Sequence, residues 1–131
     1  MNCEKNYTMT ESYFFDTYAF FEVLRGNEDY KKYSKSNIIT SKLNLFELYF
    51  NLIKETTDEK TAQKCFEKYY EFVKEFDEKI IIEAAKIKLK LNNRNVSMTD
   101  CIGYIMAKMM GIKFLTGDKE FENLENVEFV K

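Results

Sequence analysis

The segment SMTDCIGYIMAKMMGIKFLTGD, residues 97–118, shows one complete unit of the predicted fold. Ser97 is a suitable N-cap for a helix, and Gly111 is a natural residue to end it. Residues 112–115 then form a short apolar strand, and Thr116-Gly117-Asp118 form a turn. A helix joined to a strand by so short a connection is typical of a parallel α/β sheet.

The same alternation is found along the rest of the chain. Residues 13–15 predict a buried strand and residues 17–24 the helix after it, while residues 37–40 predict a second strand. The remaining predicted elements are helices over 42–55, 58–76, 83–91 and 119–124, a weak strand over 79–82 and a closing strand over 127–130. The pattern predicts a three-layer α/β/α sandwich with a central parallel sheet of four to five strands.

Length and composition indicate one folded domain. The chain has 131 residues, of which 45% are hydrophobic and 32% charged. We expect this domain to span residues 13–131, preceded by a polar N-terminal extension, residues 1–12. That extension lacks the apolar core of a signal peptide, and no apolar run approaches the roughly 20 residues that cross a bilayer. The net charge of −2 gives no global basic field.

The cysteine and histidine counts exclude several kinds of site. There are three cysteines at wide spacings and no CxxC motif, so neither a zinc knuckle nor a thioredoxin motif is present. A reduced compartment, the cytoplasm, is the expected location. With no histidine in the chain, Ser-His-Asp and Cys-His nucleophile systems and His-ligated zinc are excluded.

Four acidic residues stand apart from the solvated charges. Asp16 follows the first strand directly, and Asp118 follows the strand of residues 112–115. Asp100 lies three residues after Ser97, and Glu47 shares a helix face with apolar side chains. Taken singly, Asp16 and Asp118 fit a helix N-cap as well as a ligand, and Asp100 fits a capping box with Ser97. Glu47 fits a helix tilted toward water.

Their shared position favours a metal site. In parallel sheets the ligand crevice lies beyond the carboxyl ends of the strands, and all four acids lie on that side of successive units. Four carboxylates in one crevice would repel one another unless cations neutralised them. Oxygen-only ligation suits Mg²⁺ or Mn²⁺. Because histidine is absent, the metal would have to activate water for a hydrolysis.

Four short motifs resemble those of the PIN domain family, in that family's order and spacing. They are Phe-Phe-Asp16-Thr-Tyr-Ala-Phe-Phe-Glu, Leu-Asn-Leu-Phe-Glu47-Leu, Ser-Met-Thr-Asp100-Cys-Ile-Gly-Tyr and Phe-Leu-Thr-Gly-Asp118-Lys-Glu-Phe. The resemblance covers about residues 13–131 and is greatest to small single-domain archaeal PIN proteins of the VapC toxin type. The family's fourth motif often has another residue where this chain has Gly117.

The resemblance implies a fold, an activity and partners. It implies a PIN-like sandwich and an Mg²⁺- or Mn²⁺-dependent endoribonuclease that hydrolyses RNA phosphodiester bonds. By position, Asp16, Glu47, Asp100 and Asp118 would be the catalytic metal ligands, supported by Thr17 and Thr116. VapC proteins pair with an antitoxin and are commonly homodimers. The cations in segments that could line the crevice are Arg25, Lys31, Lys32, Lys35, Lys42 and Lys119.

Other functions are less consistent with the sequence. A haloacid-dehalogenase phosphatase needs a second acid two residues after its nucleophilic aspartate, and Tyr18 stands there. A receiver domain requires an acidic pair on its first strand, and residues 13–15 offer none. Two alternatives within the family stay open. One is an RNA-processing nuclease without an antitoxin, and the other is a non-catalytic interaction module.

Overall fold

Four parallel strands form the central sheet of the computed structural model, which describes residues 10–131. They are β1 (Ser12–Phe15), β2 (Asn37–Ile39), β3 (Lys113–Thr116) and β4 (Val127–Phe129). Their order across the sheet is β2-β1-β3-β4, and every neighbouring pair is parallel. The predicted parallel sheet is therefore confirmed, with four strands.

Five α-helices cover the two faces of this sheet and confirm the three-layer prediction. They are α1 (Thr17–Leu24), α2 (Lys42–Thr56), α3 (Glu59–Tyr70), α4 (Glu78–Lys90) and α5 (Met98–Met110), with 3₁₀ helices at Glu28–Lys35 and Lys119–Phe121. Side chains alternate along β1, so Tyr13 and Phe15 pack with α1, α2 and α3 on one face. Phe14 packs with α4 and α5 on the other face.

Helix α5 lies close against the sheet because its inner face carries small residues. A Cβ atom at Gly103 would lie 2.7 Å from Cε1 of Phe14 and 3.2 Å from Cε1 of Phe114. Ala107, one turn later, is fully buried. Gly111 ends the helix as predicted, with φ +71°, and is exposed. The close approach brings the first turn of α5 toward the carboxyl ends of β1 and β3.

The weak strand predicted over residues 79–82 is wrong, since these residues belong to α4. Asp77 caps that helix by accepting a hydrogen bond from the Ile80 N–H (3.2 Å). Ala84, one turn after Ile80, is buried against the sheet, whereas Ile81 and Ile82 are each 49% exposed. The apolar positions therefore follow the helical period rather than that of a strand.

Two predicted helices are shorter than expected. The helix predicted over 58–76 ends at Tyr70. The chain turns after it, and Val73 forms a single parallel bridge with Thr40 beside β2. Backbone bonds from Thr40 N to Phe72 O and from Lys74 N to Thr40 O fix that bridge. The helix predicted over 119–124 is the three-residue 3₁₀ helix.

Most of the predicted N-terminal extension, residues 1–12, lies outside the described residues, which begin at residue 10. Ser12 is already the first residue of β1. Among residues 10–131, the helices are too short and too polar for any of them to pass through a bilayer.

Gly103→Ala tests the close packing of α5. The added methyl group has no room against Phe14, so we expect the free energy of unfolding to fall by about 1–3 kcal/mol. Urea denaturation followed by circular dichroism measures this change. Lys108→Ala, exposed on the same helix, is the control and should change the value by less than about 0.5 kcal/mol. Equal stability of Gly103→Ala and wild type would contradict the close contact.

Candidate carboxylate site

The carboxyl edge of the sheet, where the parallel strands end, carries the candidate site residues. Asp16 follows β1 directly and Asp118 follows β3 after Gly117. Asp100 lies in the first turn of α5, and Glu47 lies in the second turn of α2. The charges of Asp100 and Asp118 act on Asp16, and those of Asp118 and Glu47 act on Asp100. The structure thus brings the four predicted acids into one neighbourhood.

Asp16 is the most deeply buried of the four acids, with 3% of its surface exposed. Its Oδ1 accepts a hydrogen bond from the Ala19 N–H (2.8 Å), so it is also the N-cap of α1. Burial is the main cause that raises its pKa to about 8, and the charges of Asp100 and Asp118 raise it further. Hydrogen bonds from the Thr116 hydroxyl and the Ala19 N–H act in the opposite direction.

Asp100 is half-buried and completes the predicted capping box of α5. Its N–H donates to Ser97 Oγ (3.0 Å), and its Oδ2 accepts from the Ser97 N–H (3.4 Å). Burial raises its pKa to about 6, against the opposing effect of the Ser97 bonds. The charges of Asp118 and Glu47 contribute to the rise.

Asp118 is held by the turn that follows β3. Its N–H donates to Thr116 Oγ1 (3.0 Å), and its Oδ1 accepts from the Glu120 N–H (3.0 Å). The Thr116 hydroxyl therefore accepts from Asp118 and directs its own hydrogen to Asp16. Gly117 lies in the predicted turn. Close packing leaves no room for a larger residue there, because a Cβ atom would lie 2.7 Å from the Val130 carbonyl oxygen.

Glu47 is partly open to water and has a hydrogen-bond partner. It is half-buried, and its neighbour on the helix face, Phe50, is 49% exposed. Its Oε1 accepts a hydrogen bond from Thr17 Oγ1 (2.8 Å), which ties α2 to the first residue of α1. The helix turns its leucines inward instead, with Leu45 and Leu48 each 1% exposed.

Two buried polar residues beside Glu47 were missed as parts of the site. Asn44 and Ser41 are fully buried, and Asn44 Nδ2 donates to Thr17 Oγ1 (3.2 Å). The sequence held one signal, a serine followed three residues later by an asparagine at a helix start. That spacing by itself indicates only an N-cap. The partner of Asn44 lies 27 residues away, so no local pattern identifies the contact.

Capping and site roles coincide in these aspartates. Asp16 and Asp118 each accept a backbone N–H of the turn that they start, whereas Asp100 accepts the N–H of Ser97, the N-cap of α5. Within residues 10–131, no three or more Cys, Asp or Glu side chains are grouped closely enough to hold a metal ion in this arrangement. Backbone hydrogen bonds hold each of these three carboxylates at its own helix start or turn.

The cations predicted around the crevice are only partly there. Lys31, Lys32 and Lys35 lie on the 3₁₀ helix that leads into the start of β2, which is the opposite edge of the sheet. Lys119 is exposed beside Asp118. Arg94, which precedes α5, donates from Nη1 to the Glu120 carbonyl (2.7 Å) and so also lies at the carboxyl edge.

The raised pKa values of Asp16 and Asp100 predict a pH-dependent stability. The folded state binds these protons more tightly than the unfolded chain, so this stabilisation is complete below about pH 4. It is lost as the pH rises through about 6 for Asp100 and about 8 for Asp16. In buffer with a chelator we expect Tm to fall by about 5 °C or more between pH 5.5 and 8.5. The absence of histidine leaves few other groups to titrate there.

Asp16→Asn is the informative variant for this measurement by thermal unfolding. It removes the larger shift, so its Tm should change much less over the same pH range. Asp58→Asn is the matched control, because Asp58 is an exposed helix cap whose pKa is lowered by bonds to Thr61. Its contribution is lost only in acid, so the slope above pH 5.5 should match wild type. A wild-type Tm that stays constant or rises would contradict the assignment.

Comparison with known proteins identifies the family of this chain. The PIN domain family model matches residues 13–127. A DNA-bound VapBC from Salmonella typhimurium superposes with a TM-score of 0.71 at 18% identity, covering 92% of this chain and 98% of that chain. A toxin–antitoxin complex from Klebsiella pneumoniae gives 0.70 at 14% identity, covering 88% and 94%.

A third solved structure, VapBC2 from Rickettsia felis bound to a promoter DNA fragment, has a TM-score of 0.67 at 12% identity, covering 91% of this chain and 97% of that chain. No curated protein matches the chain in the sequence comparison. At these identities the structural likeness establishes the fold, and the match over residues 13–127 establishes the family. The chain belongs to the PIN domain family.

Proposed function

We infer that this chain is a metal-dependent endoribonuclease that hydrolyses RNA phosphodiester bonds. PIN domains are nucleases, and the chain is a member of that family. The observation that carries the proposal is the gathering of Asp16, Glu47, Asp100 and Asp118 at the carboxyl edge of the sheet. Buried carboxylates that act on one another are costly in a purely structural role and useful around a cation.

The four carboxylates fit a hard divalent cation. They offer only oxygen donors, and histidine is absent from the chain, so the set suits Mg²⁺ or Mn²⁺ rather than zinc. We propose Asp16, Glu47, Asp100 and Asp118 as the residues that hold the ion. When bound, the ion would supply charge neutralisation and activation of water for attack on the phosphodiester.

The remaining side chains orient this set and bind substrate. Thr116 donates to Asp16 and accepts from the Asp118 N–H, so it fixes two acids relative to each other. Thr17 donates to Glu47. Lys119 and Arg94 are the cations at this edge that we assign to RNA phosphates, because phosphate contacts come chiefly from Lys and Arg.

We further propose that the chain is the toxin of a VapBC-type toxin–antitoxin pair. Support comes from the fold shared with VapBC of Salmonella typhimurium and with the toxin–antitoxin complex of Klebsiella pneumoniae. Its partner would be a protein antitoxin and its compartment the cytoplasm, where the free Cys65 and Cys101 stay reduced. A nuclease that cleaves RNA, yet purifies from its native cell with no small partner protein, would instead be the RNA-processing alternative.

A homodimer is the proposed assembly. Phe46 and Phe50 on α2 are 70% and 49% exposed. Large apolar side chains that are exposed side by side are typical of an interaction surface. An apolar groove of about 280 Å³ lies between α4 and α5, lined by Ile81 and Met98 among others. The aromatic pair on one copy and the groove on another are suitable partners in an isologous interface.

RNA cleavage with Mn²⁺ tests the nuclease proposal. Asp16→Asn and Asp100→Asn should each lower the cleavage rate at least about 100-fold, more than the 10- to 100-fold loss usual for residues outside the ligand shell. Asparagine still caps a helix, so both variants should fold. The amount of a labelled structured RNA that is cleaved with time measures the rate.

Asp77→Asn is the matched control for this assay. Asp77 caps α4 through Ile80 just as Asp16 caps α1, but it is exposed and outside the proposed ligand set. Its cleavage rate should equal wild type. If Asp16→Asn and Asp100→Asn also cut as fast as wild type, the carboxylate proposal is wrong. If wild type does not cleave, the non-catalytic module is the better description.

Sedimentation equilibrium tests the dimer. Wild type should have twice the 15.7 kDa mass of one chain, and Phe46→Ser combined with Ile81→Ser should shift it to monomer. Loss of large apolar anchors at an interface costs about 2 kcal/mol or more each. Leu24→Ser, which changes an exposed leucine on α1, should leave the dimer intact. A wild-type monomer would refute the assembly.

A further inference from the structure

Polar groups around Thr17 form a hydrogen-bonded chain from the start of α2 to the Glu47 carboxylate. The Asn44 N–H donates to Ser41 Oγ (3.3 Å), and Ser41 Oγ donates to Asn44 Oδ1 (2.7 Å). Asn44 Nδ2 donates to Thr17 Oγ1 (3.2 Å), which donates to Glu47 Oε1 (2.8 Å). Ser41 and Asn44 are fully buried, whereas Thr17 and Glu47 are half-buried at the carboxyl edge.

The directions of these bonds are fixed, because each hydroxyl carries a single hydrogen. Ser41 accepts from a backbone N–H, so its own hydrogen goes to Asn44 Oδ1. That contact turns Nδ2 of Asn44 toward Thr17. An amide nitrogen only donates, so Thr17 accepts from it and has one hydrogen left, which goes to Glu47. Reversal at any link would leave two donors or two acceptors facing each other.

We propose that Asn44 is a positioning residue for Glu47. By donating to Thr17 it makes the Thr17 hydroxyl a donor toward Glu47 and so holds that carboxylate where its charge acts on Asp100. Without Asn44 the hydroxyl is free to rotate among its staggered positions and to donate elsewhere. The consequence for metal binding rests on the proposed function, whereas the bonded chain itself does not.

Helix capping alone does not explain a buried amide at this position. Ser41 already caps α2 by accepting the Asn44 N–H, and this needs nothing from the Asn44 side chain. Burying an amide is unfavourable unless it is hydrogen-bonded. The other buried residues of α2, Leu45, Leu48 and Leu52, are apolar. A leucine there would lose two bonds, one from the Ser41 hydroxyl and one to Thr17, and only the second leads to Glu47.

Titration of the protein with Mn²⁺ by calorimetry measures the positioning effect. Asn44→Leu and Thr17→Val should each weaken Mn²⁺ binding about 10- to 100-fold, the usual effect of removing a partner of a ligand. The double variant should be no weaker than either single one, because both break the same chain. Thr17→Ser keeps the hydroxyl and should bind as wild type, as should Asn51→Leu, a half-buried asparagine on the same helix. Wild-type affinity in Asn44→Leu, or additive losses in the double variant, would overturn the proposal.

A metal-free measurement separates this inference from the nuclease proposal. In NMR spectra of the protein with chelator, Glu47→Gln should shift the side-chain amide resonances of Asn44, although the two residues do not hydrogen-bond directly. The shift should largely disappear in a Thr17→Val background, and the amide of Asn51 should stay unmoved in both. If the Asn44 amide resonances do not shift in Glu47→Gln, or shift equally in the Thr17→Val background, the hydrogen-bonded chain is refuted. Failure of wild type to bind Mn²⁺ or to cut RNA would count against the nuclease and leave this result intact.

Discussion

Removal of the Asp16 carboxylate from water, where β1 ends, is the constraint on which the carboxyl edge of this protein depends. An unpaired buried charge costs several kcal/mol, and among residues 10–131 it is offset here by the Ala19 N–H and the Thr116 hydroxyl. Nearby Asp100 and Asp118 add repulsion instead of relief. The fold therefore holds a carboxyl group in a place where a proton or a cation is favoured, and Thr116 and the turn to Asp118 are arranged around it.

The helices and strands at the carboxyl edge could be predicted because the residues that indicate them lie close together in the chain. An apolar run that ends in Asp16, a serine cap before α5 and a glycine after it each act within a few residues. Prediction failed where a distant partner decides. Nothing near Tyr70 stops α3, whose end depends on the pairing of Val73 with Thr40, 33 positions earlier. The three successive isoleucines at residues 80–82 also fit a strand, but Asp77 caps this segment and it forms a helix.

The candidate site could be predicted as a set of acids but not as an arrangement. A role in helix capping does not exclude a role as a metal ligand for Asp16, Asp100 and Asp118. A carboxylate that accepts a backbone N–H keeps its other lone pairs available. The apolar neighbours of Glu47 along the helix do not indicate a partner for its carboxylate. Its actual partner, Thr17, is 30 positions away. The basic residues before β2 differ, since chain order alone places Lys31, Lys32 and Lys35 ahead of this strand and so at its amino end.

The shortness of the outer strands limits how this protein can associate. β2 and β4, at the two edges of the sheet, are three residues each, and β2 is continued only by the single bridge to Val73. So few free backbone groups give an incoming strand little to pair with, which protects against edge-to-edge aggregation. A stable contact with another chain through the described residues is therefore expected from side chains rather than from strand pairing. Recognition there depends on shape and residue type rather than on the main-chain pairing that every polypeptide can offer.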